Sequence, residues 1–148
     1  MLGGVCIEHN CGLAGHSDAD AVLHALTDAI LGAIGAGDIG EHFPDNDPAW
    51  SGAASAQFVR HALALAADKG YRVVNCDITV ITEQPKLAPH KARMKQTIAD
   101  LLGVAADAVS VKAKTNEGMG WIGSGEGLAA IAVVAMEKTF DNSRPRGT

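Results

Sequence analysis

The chain has 148 residues, of which 47% are hydrophobic and only 4% aromatic, so it is long enough to form one domain with a largely aliphatic core. Its formal net charge of -5 gives no electrostatic basis for binding nucleic acid or an anionic membrane. The three cysteines are odd in number and scattered, which favours reduced thiols in a cytoplasmic protein. The longest apolar run, residues 128–136, is too short to span a bilayer. The start of the sequence lacks the basic region that is typical of a signal peptide. We therefore expect a soluble protein.

The first half of the chain is predicted to form a short strand, a helix, a long loop and a second helix. Residues 2–7 are apolar enough for the strand. Ser17 is the predicted N-cap of the first helix, which ends in the glycine-rich residues 32–37. Residues 38–55 are rich in turn-forming residues, and loops of that length are usually functional or mobile. The second helix, over residues 54–69, has an apolar stripe typical of a helix that packs on a core.

The first helix also carries a polar stripe that is unusual in a core helix. A 3.6-residue period places Ser17, Asp20, His24 and Asp28 on one face. Residues 1–59 contain eight Asp or Glu, four His and no Lys or Arg. Two interpretations follow from the residues: a solvated acidic face with capping residues at the helix start, or a site where a divalent metal supplies the positive charge.

The second half is predicted to alternate between strands and a helix. Residues 71–82 alternate in polarity and are rich in β-branched side chains, which predicts a half-buried strand. A third helix begins near Pro89 and ends at Gly103. Residues 109–114 and 128–138 form two further strands, and the second is apolar enough to be a central strand.

Between the last two strands lies a segment with five glycines, residues 115–127. Residues 118–123 formally match the G-x-G-x-x-G dinucleotide fingerprint. We reject that interpretation, because the fingerprint needs a helix after it to receive the pyrophosphate, and here the next predicted element is a strand. A contact between glycine-rich backbone N–H groups and a diphosphate remains as a weaker inference.

Several groups of residues, in this order along the chain, carry a resemblance to a known family. They are residues 15–20 with 24–28, 37–40 with 43–45, 85–86, 114–117 and 125–127. Together they resemble the 2-C-methyl-D-erythritol 2,4-cyclodiphosphate synthases, the cyclases of the non-mevalonate isoprenoid pathway. The resemblance implies an α+β fold, with a mixed β-sheet packed against helices on one side, assembled as a homotrimer with active sites between subunits. The length predicts a single domain, over residues 1–140, and the resemblance implies that it is incomplete at its amino terminus. The polar residues 141–148 are expected to be a disordered tail.

The same resemblance implies a reaction. A lyase of this kind converts 4-diphosphocytidyl-2-C-methyl-D-erythritol 2-phosphate into 2-C-methyl-D-erythritol 2,4-cyclodiphosphate and CMP, by in-line attack of the 2-phosphate on the β-phosphorus. The protein would hold nucleophile and phosphorus in line and neutralise charge on the phosphates.

The resemblance also implies site residues. His16 and Thr115 would stabilise the transition state, His24 would be one zinc ligand, and Glu117 would ligate magnesium or manganese. Other matched positions would bind parts of the substrate. The 2-phosphate would be bound by Ser17, and the erythritol part by Asp38, Ile39, Gly40, Phe43, Asp45 and Asp47. The cytidine would be bound by Thr82, Pro85, Lys86, Leu87 and Ala88, and the remaining substrate-binding residues would be Lys114, Asn116 and Trp121.

The sequence departs from the family at its amino terminus. The family begins with a strand that carries an Asp-x-His motif and supplies the other two zinc ligands, and this sequence has no such motif. One of three expected zinc ligands is therefore present, and we expect weak zinc binding or none. We expect a shortened form, from a late start or from separation from a fused upstream pathway enzyme. The alternative function is a catalytically silent ligand-binding trimer that keeps the cytidine and diphosphate pockets.

Overall fold

Three strands form one mixed sheet in the computed structural model, which describes residues 1–8 and 19–140. The central strand β1 (Tyr71–Ile81) pairs in parallel with β2 (Val109–Lys114) and antiparallel with β3 (Ala129–Lys138). Valine, isoleucine and threonine predominate in β1, and their branched Cβ atoms favour an extended backbone. The bounds of β1 and β2 confirm the predicted strands.

The described residues form five helices, three of which pack on one face of the sheet. They are α1 (Ala21–Ala33), α2 (Ile39–His42), α3 (Ser55–Asp68), α4 (Lys91–Leu102) and α5 (Gly120–Gly123), with 3₁₀ turns at Pro48–Trp50, Ala88–His90 and Ala106–Ala108. Helix α1 packs against β3 and α3, and α4 packs against β2. The core between these layers is aliphatic as expected, with Leu26, Ile30, Ile78, Met94 and Ile98 fully buried. None of the helices in the part of the chain that the structure describes is long and apolar enough to cross a membrane.

The other face of the sheet carries the more exposed side chains among the described residues. Along β1, Val73 and Val80 are buried beneath the helices, whereas the side chain of Val74 is 44% exposed. Along β3, Ile131 and Val133 are 56% and 63% exposed. The prediction that the last strand is central is wrong, because β3 pairs with β1 alone among the described strands. Strand β3 has apolar side chains on both of its faces, one of which packs on α1 while the other is exposed.

The amino-terminal segment differs from its prediction. Residues 2–7 do not form a strand; Leu2 and Val5 instead exchange backbone hydrogen bonds of 2.9 and 3.0 Å across a tight turn. The central residues of the turn, Gly3 and Gly4, have φ values of 57° and 75°, which glycine adopts without a Cβ clash. Two adjacent glycines therefore reverse the chain where the apolar pattern alone indicates extension.

The start of α1 also differs, because Asp20 rather than Ser17 is the N-cap of the observed helix. Its carboxylate is fully buried and accepts hydrogen bonds from the backbone N–H groups of Leu23 at 3.0 Å, Gly3 at 2.9 Å and Gly4 at 2.7 Å. Buried charge is tolerated when several donors compensate its lost hydration. The predicted capping role of Asp20 is confirmed, and it additionally fixes the amino-terminal turn to α1. Ser17 and the predicted tail, residues 141–148, lie outside the described residues.

Candidate functional site

Two loops follow the carboxyl ends of the parallel strands β1 and β2, where ligands commonly bind in open α/β sheets. We call residues 82–88 the nucleotide loop and residues 115–119 the diphosphate turn, after the roles that the resemblance implies. The backbone N–H of Thr82 donates to the Lys114 carbonyl at 2.9 Å. One carboxylate oxygen of Glu83, Oε1, accepts from the N–H groups of Asn116 at 2.8 Å and Gly118 at 3.3 Å. The fold thus holds these two predicted binding segments directly against each other.

The nucleotide loop is anchored from within. The Thr82 side chain is buried, and its Oγ1 donates to the Gln84 carbonyl at 2.6 Å. The Gln84–Pro85 peptide bond is cis. The Leu87 side chain is only 3% exposed and belongs to the core, so a ligand contact at Leu87 would have to come from its backbone. Lys86 and Ala88 are exposed, which leaves the Lys86 ammonium group accessible to a ligand.

The diphosphate turn contains an unusual backbone conformation. Glu117 has a φ of 52° and Gly118 a φ of 72°. For a residue with a Cβ the left-handed region costs about 1–2 kcal/mol, and such a conformation persists where its surroundings stabilise it. The two hydrogen bonds that Glu83 accepts come from Asn116 and Gly118, the residues on either side of Glu117. The side chains of Lys114, Thr115 and Glu117 are exposed, so the three residues expected to meet phosphates or a metal are accessible together.

The glycines after this turn serve close packing. A Cβ on Gly123 would lie 2.1 Å from the Gly118 carbonyl carbon, and a Cβ on Gly127 would lie 2.7 Å from the Trp121 ring. The short helix α5 can therefore fold back on the diphosphate turn, with Trp121 lying on Gly127 and 56% exposed. The N–H groups of Asn116 and Gly118 point to Glu83, so the weak inference that this backbone reaches a phosphate is not supported at those two residues.

The side chain of His24 on α1 contacts Ser55 and Phe58, neither of which is among the predicted site residues. Its imidazole is half-buried, with Nε2 2.9 Å from the Ser55 hydroxyl oxygen and the ring centroid 5.6 Å from that of Phe58. Phe58 in turn packs on Phe43, with ring centroids 4.4 Å apart, and Trp50 meets Phe43 edge-on at 4.8 Å. These rings fix one side of the His24 imidazole and bury Phe43.

Zinc does not fit the donors around His24 that the structure describes. A structural or catalytic zinc site needs three or four nitrogen, sulfur or carboxylate ligands. Among residues 1–8 and 19–140 there is no group of three His, Cys, Asp or Glu side chains that could hold a metal ion. The Nε2 atom of His24 is in hydrogen-bond contact with Ser55.

The acidic residues near α2 act as caps. The Asp28 carboxylate accepts from the Ile39 N–H at 2.8 Å, that of Asp38 from Glu41 at 3.0 Å, and that of Asp47 from Ala49 at 2.9 Å. Asp28 therefore joins α1 to the start of α2. Around these caps, Gly40 and Asp45 are exposed and Ile39 is half-buried.

The predicted site residues thus form two groups, one on the nucleotide loop and diphosphate turn and one around His24 and α2. Glu83 organises the first group, and the contacts of His24 with Ser55 and Phe58 organise the second. His16 and Ser17 lie outside the described residues. Sequence reasoning missed Glu83, which has no motif of its own; the signal that could have found it is that loops after adjacent parallel strands lie side by side.

The cysteine at the centre of β1 is not a candidate nucleophile. Burial, and secondarily the neighbouring Asp77 carboxylate, raises the pKa of the Cys76 thiol to about 11. A thiol with so high a pKa is protonated near neutral pH and reacts poorly. Cys76 is therefore a buried residue of the sheet and not part of the candidate site.

A model of the YgbB family matches residues 1–137. The Bifunctional enzyme IspD/IspF of Caulobacter vibrioides is 60% identical over 136 residues, which are 92% of this chain and 36% of that protein. The chain thus spans little more than a third of that relative. The 2-C-methyl-D-erythritol 2,4-cyclodiphosphate synthase of Geotalea uraniireducens is 54% identical over 138 residues, 93% of this chain and 88% of that protein. A solved CDP complex of IspF from Plasmodium falciparum superposes with a TM-score of 0.82 at 36% identity, covering 94% of this chain and 83% of that one.

Proposed function

The chain belongs to the YgbB family, and we propose that it is a phosphorus–oxygen lyase that closes a cyclic diphosphate. Its substrate would be 4-diphosphocytidyl-2-C-methyl-D-erythritol 2-phosphate, and its products 2-C-methyl-D-erythritol 2,4-cyclodiphosphate and CMP. The observation that carries this proposal is the joining of the nucleotide loop to the diphosphate turn through Glu83. In a cytidine diphosphate the base and the diphosphate are joined through the ribose, so two loops that are hydrogen-bonded side by side can bind both groups of one ligand. The relative from Plasmodium falciparum, whose solved structure is a CDP complex, supports this ligand class.

The proposed reaction asks the protein for position and charge rather than for a covalent intermediate. An oxygen of the 2-phosphate attacks the β-phosphorus, the bond from that phosphorus to the bridging oxygen breaks, and the electron pair leaves with CMP. The exposed ammonium groups of Lys86 and Lys114 neutralise phosphate charge, and the Thr115 hydroxyl donates to a phosphate oxygen of the transition state. His16 and Ser17 are proposed, from the resemblance alone, to orient the 2-phosphate.

The described residues fit one of the two proposed metal sites and not the other. No step is assigned to zinc, because the described donors near His24 do not fit it. Magnesium or manganese fits Glu117, whose exposed carboxylate makes no hydrogen bond to another described side chain. Such hard ions are commonly held by one or two carboxylates together with substrate phosphates. A bound divalent ion would supply charge neutralisation at the α- and β-phosphates.

We also propose that the chain assembles as a homotrimer with sites shared between subunits. Exposed apolar side chains on the sheet support assembly, since Val74, Ile131 and Val133 are 44%, 56% and 63% exposed. A second proposed partner is an enzyme of the IspD type, fused or associated, since the Caulobacter vibrioides relative is a Bifunctional enzyme IspD/IspF.

The experiment that tests the proposed activity is release of CMP. The purified chain is incubated with the cytidylyl substrate, zinc and magnesium, and CMP is followed by chromatography. We expect CMP release that Thr115→Ala slows by about a hundredfold, with the surface variant Asp68→Ala at the wild-type rate as the matched control. Tight substrate binding without CMP release would instead establish the silent trimer, which nothing in the comparisons favours.

A further inference from the structure

Glu83 lies in the nucleotide loop but makes its hydrogen bonds to the diphosphate turn. Its half-buried side chain reaches the backbone of Asn116 and Gly118, more than thirty residues further along the chain. Both N–H groups converge on the same oxygen, Oε1. Successive backbone N–H groups of a turn that enters the left-handed region form a concave anion site. In this molecule a carboxylate of the protein itself occupies that site.

This contact has a direct consequence for Glu117. The two hydrogen bonds hold the residues on either side of Glu117, whose own φ is 52°. The Glu117 N–H lies 3.4 Å from the Thr115 Oγ1, so the threonine hydroxyl follows the same turn. The direction of both functional side chains therefore depends on a backbone conformation that Glu83 stabilises.

We propose that Glu83 is a positioning residue, which acts through the diphosphate turn to place Thr115 and Glu117 for the diphosphate of a bound nucleotide. The proposal rests on the proposed function, since it names how that site is assembled. We assign Glu83 no contact with the reacting atoms, since its Oε1 accepts from the backbone of Asn116 and Gly118.

The nucleotide loop does not depend on the Glu83 side chain in the same way. We expect Thr82 to retain its backbone hydrogen bond to Lys114 and its hydroxyl bond to Gln84 when Glu83 is shortened, because neither bond involves the Glu83 side chain. Leu87 remains anchored in the core. Recognition of the nucleoside part should therefore survive a change that loosens the diphosphate turn, and this separates a positioning role from general damage to the fold.

The test compares CMP and CDP binding, each with magnesium, by isothermal titration calorimetry. We expect Glu83→Ala to weaken CDP binding by about tenfold and CMP binding by less than about threefold, because one lost ionic acceptor is worth about that factor. Glu83→Gln keeps a carbonyl oxygen for both N–H groups, so it should bind CDP within about threefold of wild type. The matched control is Asp100→Ala on α4, which removes an exposed carboxylate bonded only to the Gln96 side chain among described residues.

A second readout does not need nucleotide binding. In Glu83→Ala, amide hydrogen exchange at Asn116 and Gly118 should be about tenfold faster than in wild type, and in Glu83→Gln nearly unchanged. Unchanged exchange in Glu83→Ala would overturn the proposal, as would an equal loss of CMP and CDP affinity or failure of Glu83→Gln to restore CDP binding. If wild type binds neither nucleotide, the proposed function has failed, and the exchange rates alone decide the role of Glu83.

Discussion

Replacement of Asp20 by alanine is expected to destabilise the fold more than any other single carboxylate replacement in the described chain. Asp20 is fully buried at the start of α1, and its carboxylate accepts from three backbone N–H groups, those of Gly3, Gly4 and Leu23. Alanine would remove the helix cap and at the same time release the amino-terminal turn. Loss of the cap affects neighbouring residues of α1, whereas release of the turn breaks a contact between Gly3 and Asp20, which are 17 residues apart in the sequence.

The magnitude follows from which donors stay buried. The hydrogen bonds from Gly3 and Leu23 are buried, whereas that from Gly4 is only partly buried, so water can reach the Gly4 N–H after substitution. Two donors then lose their acceptor at about 1–3 kcal/mol each, and we expect Asp20→Ala to lower the free energy of unfolding by about 3–5 kcal/mol. Asp20→Asn keeps one oxygen for the two buried donors and should cost about 1–2 kcal/mol.

The assay is urea unfolding followed by far-ultraviolet circular dichroism, at one fixed protein concentration because assembly would shift the midpoint. The control is Asp68→Ala at the exposed end of α3, which should stay within about 0.5 kcal/mol of wild type. An Asp20→Ala variant within about 1 kcal/mol of wild type would refute the reasoning. So would Asn and Ala variants of equal stability, because the retained oxygen would then contribute nothing.

Three further predictions concern β1, the open sheet face and Trp121. Burial raises the pKa of Cys76 from 9.0 to about 11 in the folded state, so the contribution of the neutral thiol to stability is present below pH 9 and is lost as pH rises towards 11. Urea unfolding between pH 9 and 11 should therefore show a smaller decline in the free energy of unfolding for Cys76→Ala than for wild type. Val133→Glu should lower the assembly state seen by sedimentation, because it charges an exposed apolar face. Gly127→Ala should displace the Trp121 ring, since its Cβ would lie 2.7 Å away, and shift the tryptophan fluorescence.

Controls make each of these three results decisive. Ala64→Glu on the exposed side of α3 should leave the sedimentation behaviour unchanged, and equal dissociation in both variants would contradict an interface on the sheet. Gly32→Ala, whose Cβ would meet nothing within 4 Å, should leave the fluorescence unchanged and stabilise α1 by up to about 1 kcal/mol. An identical loss of stability between pH 9 and 11 with and without the Cys76 thiol would contradict its burial in the neutral form.

Local patterns predicted the elements whose signals lie within one segment. The apolar stripe and terminal glycine of α3, the β-branched alternation of β1, and Gly103 with its φ of 69° at the end of α4 are properties of a few neighbouring residues. The continuous apolar run of β3 misled because hydrophobicity alone does not say whether a strand face is buried by helices or left open for another chain. Both situations select the same residues.

The remaining differences come from contacts between distant segments. Ser17 has the better local capping signature, but Asp20 caps the observed helix because a turn at Gly3 and Gly4 brings two more donors to it. Glu83 was missed for the same reason, since its partners are supplied by the loop after another strand. In the candidate site, residue types were predictable from the resemblance, whereas the contact that positions them depends on the parallel pairing of β1 and β2.

The most direct test of the proposed cyclase is phosphorus-31 NMR of the 148-residue chain with the cytidylyl 2-phosphate substrate, zinc and magnesium. The proposal predicts that the resonances of the substrate disappear and that a cyclic diphosphate and CMP appear in equal amounts. Formation of CMP together with a linear phosphate product would contradict intramolecular attack by the 2-phosphate. An unchanged spectrum, under conditions in which calorimetry shows the substrate bound, would contradict the proposed activity of this chain.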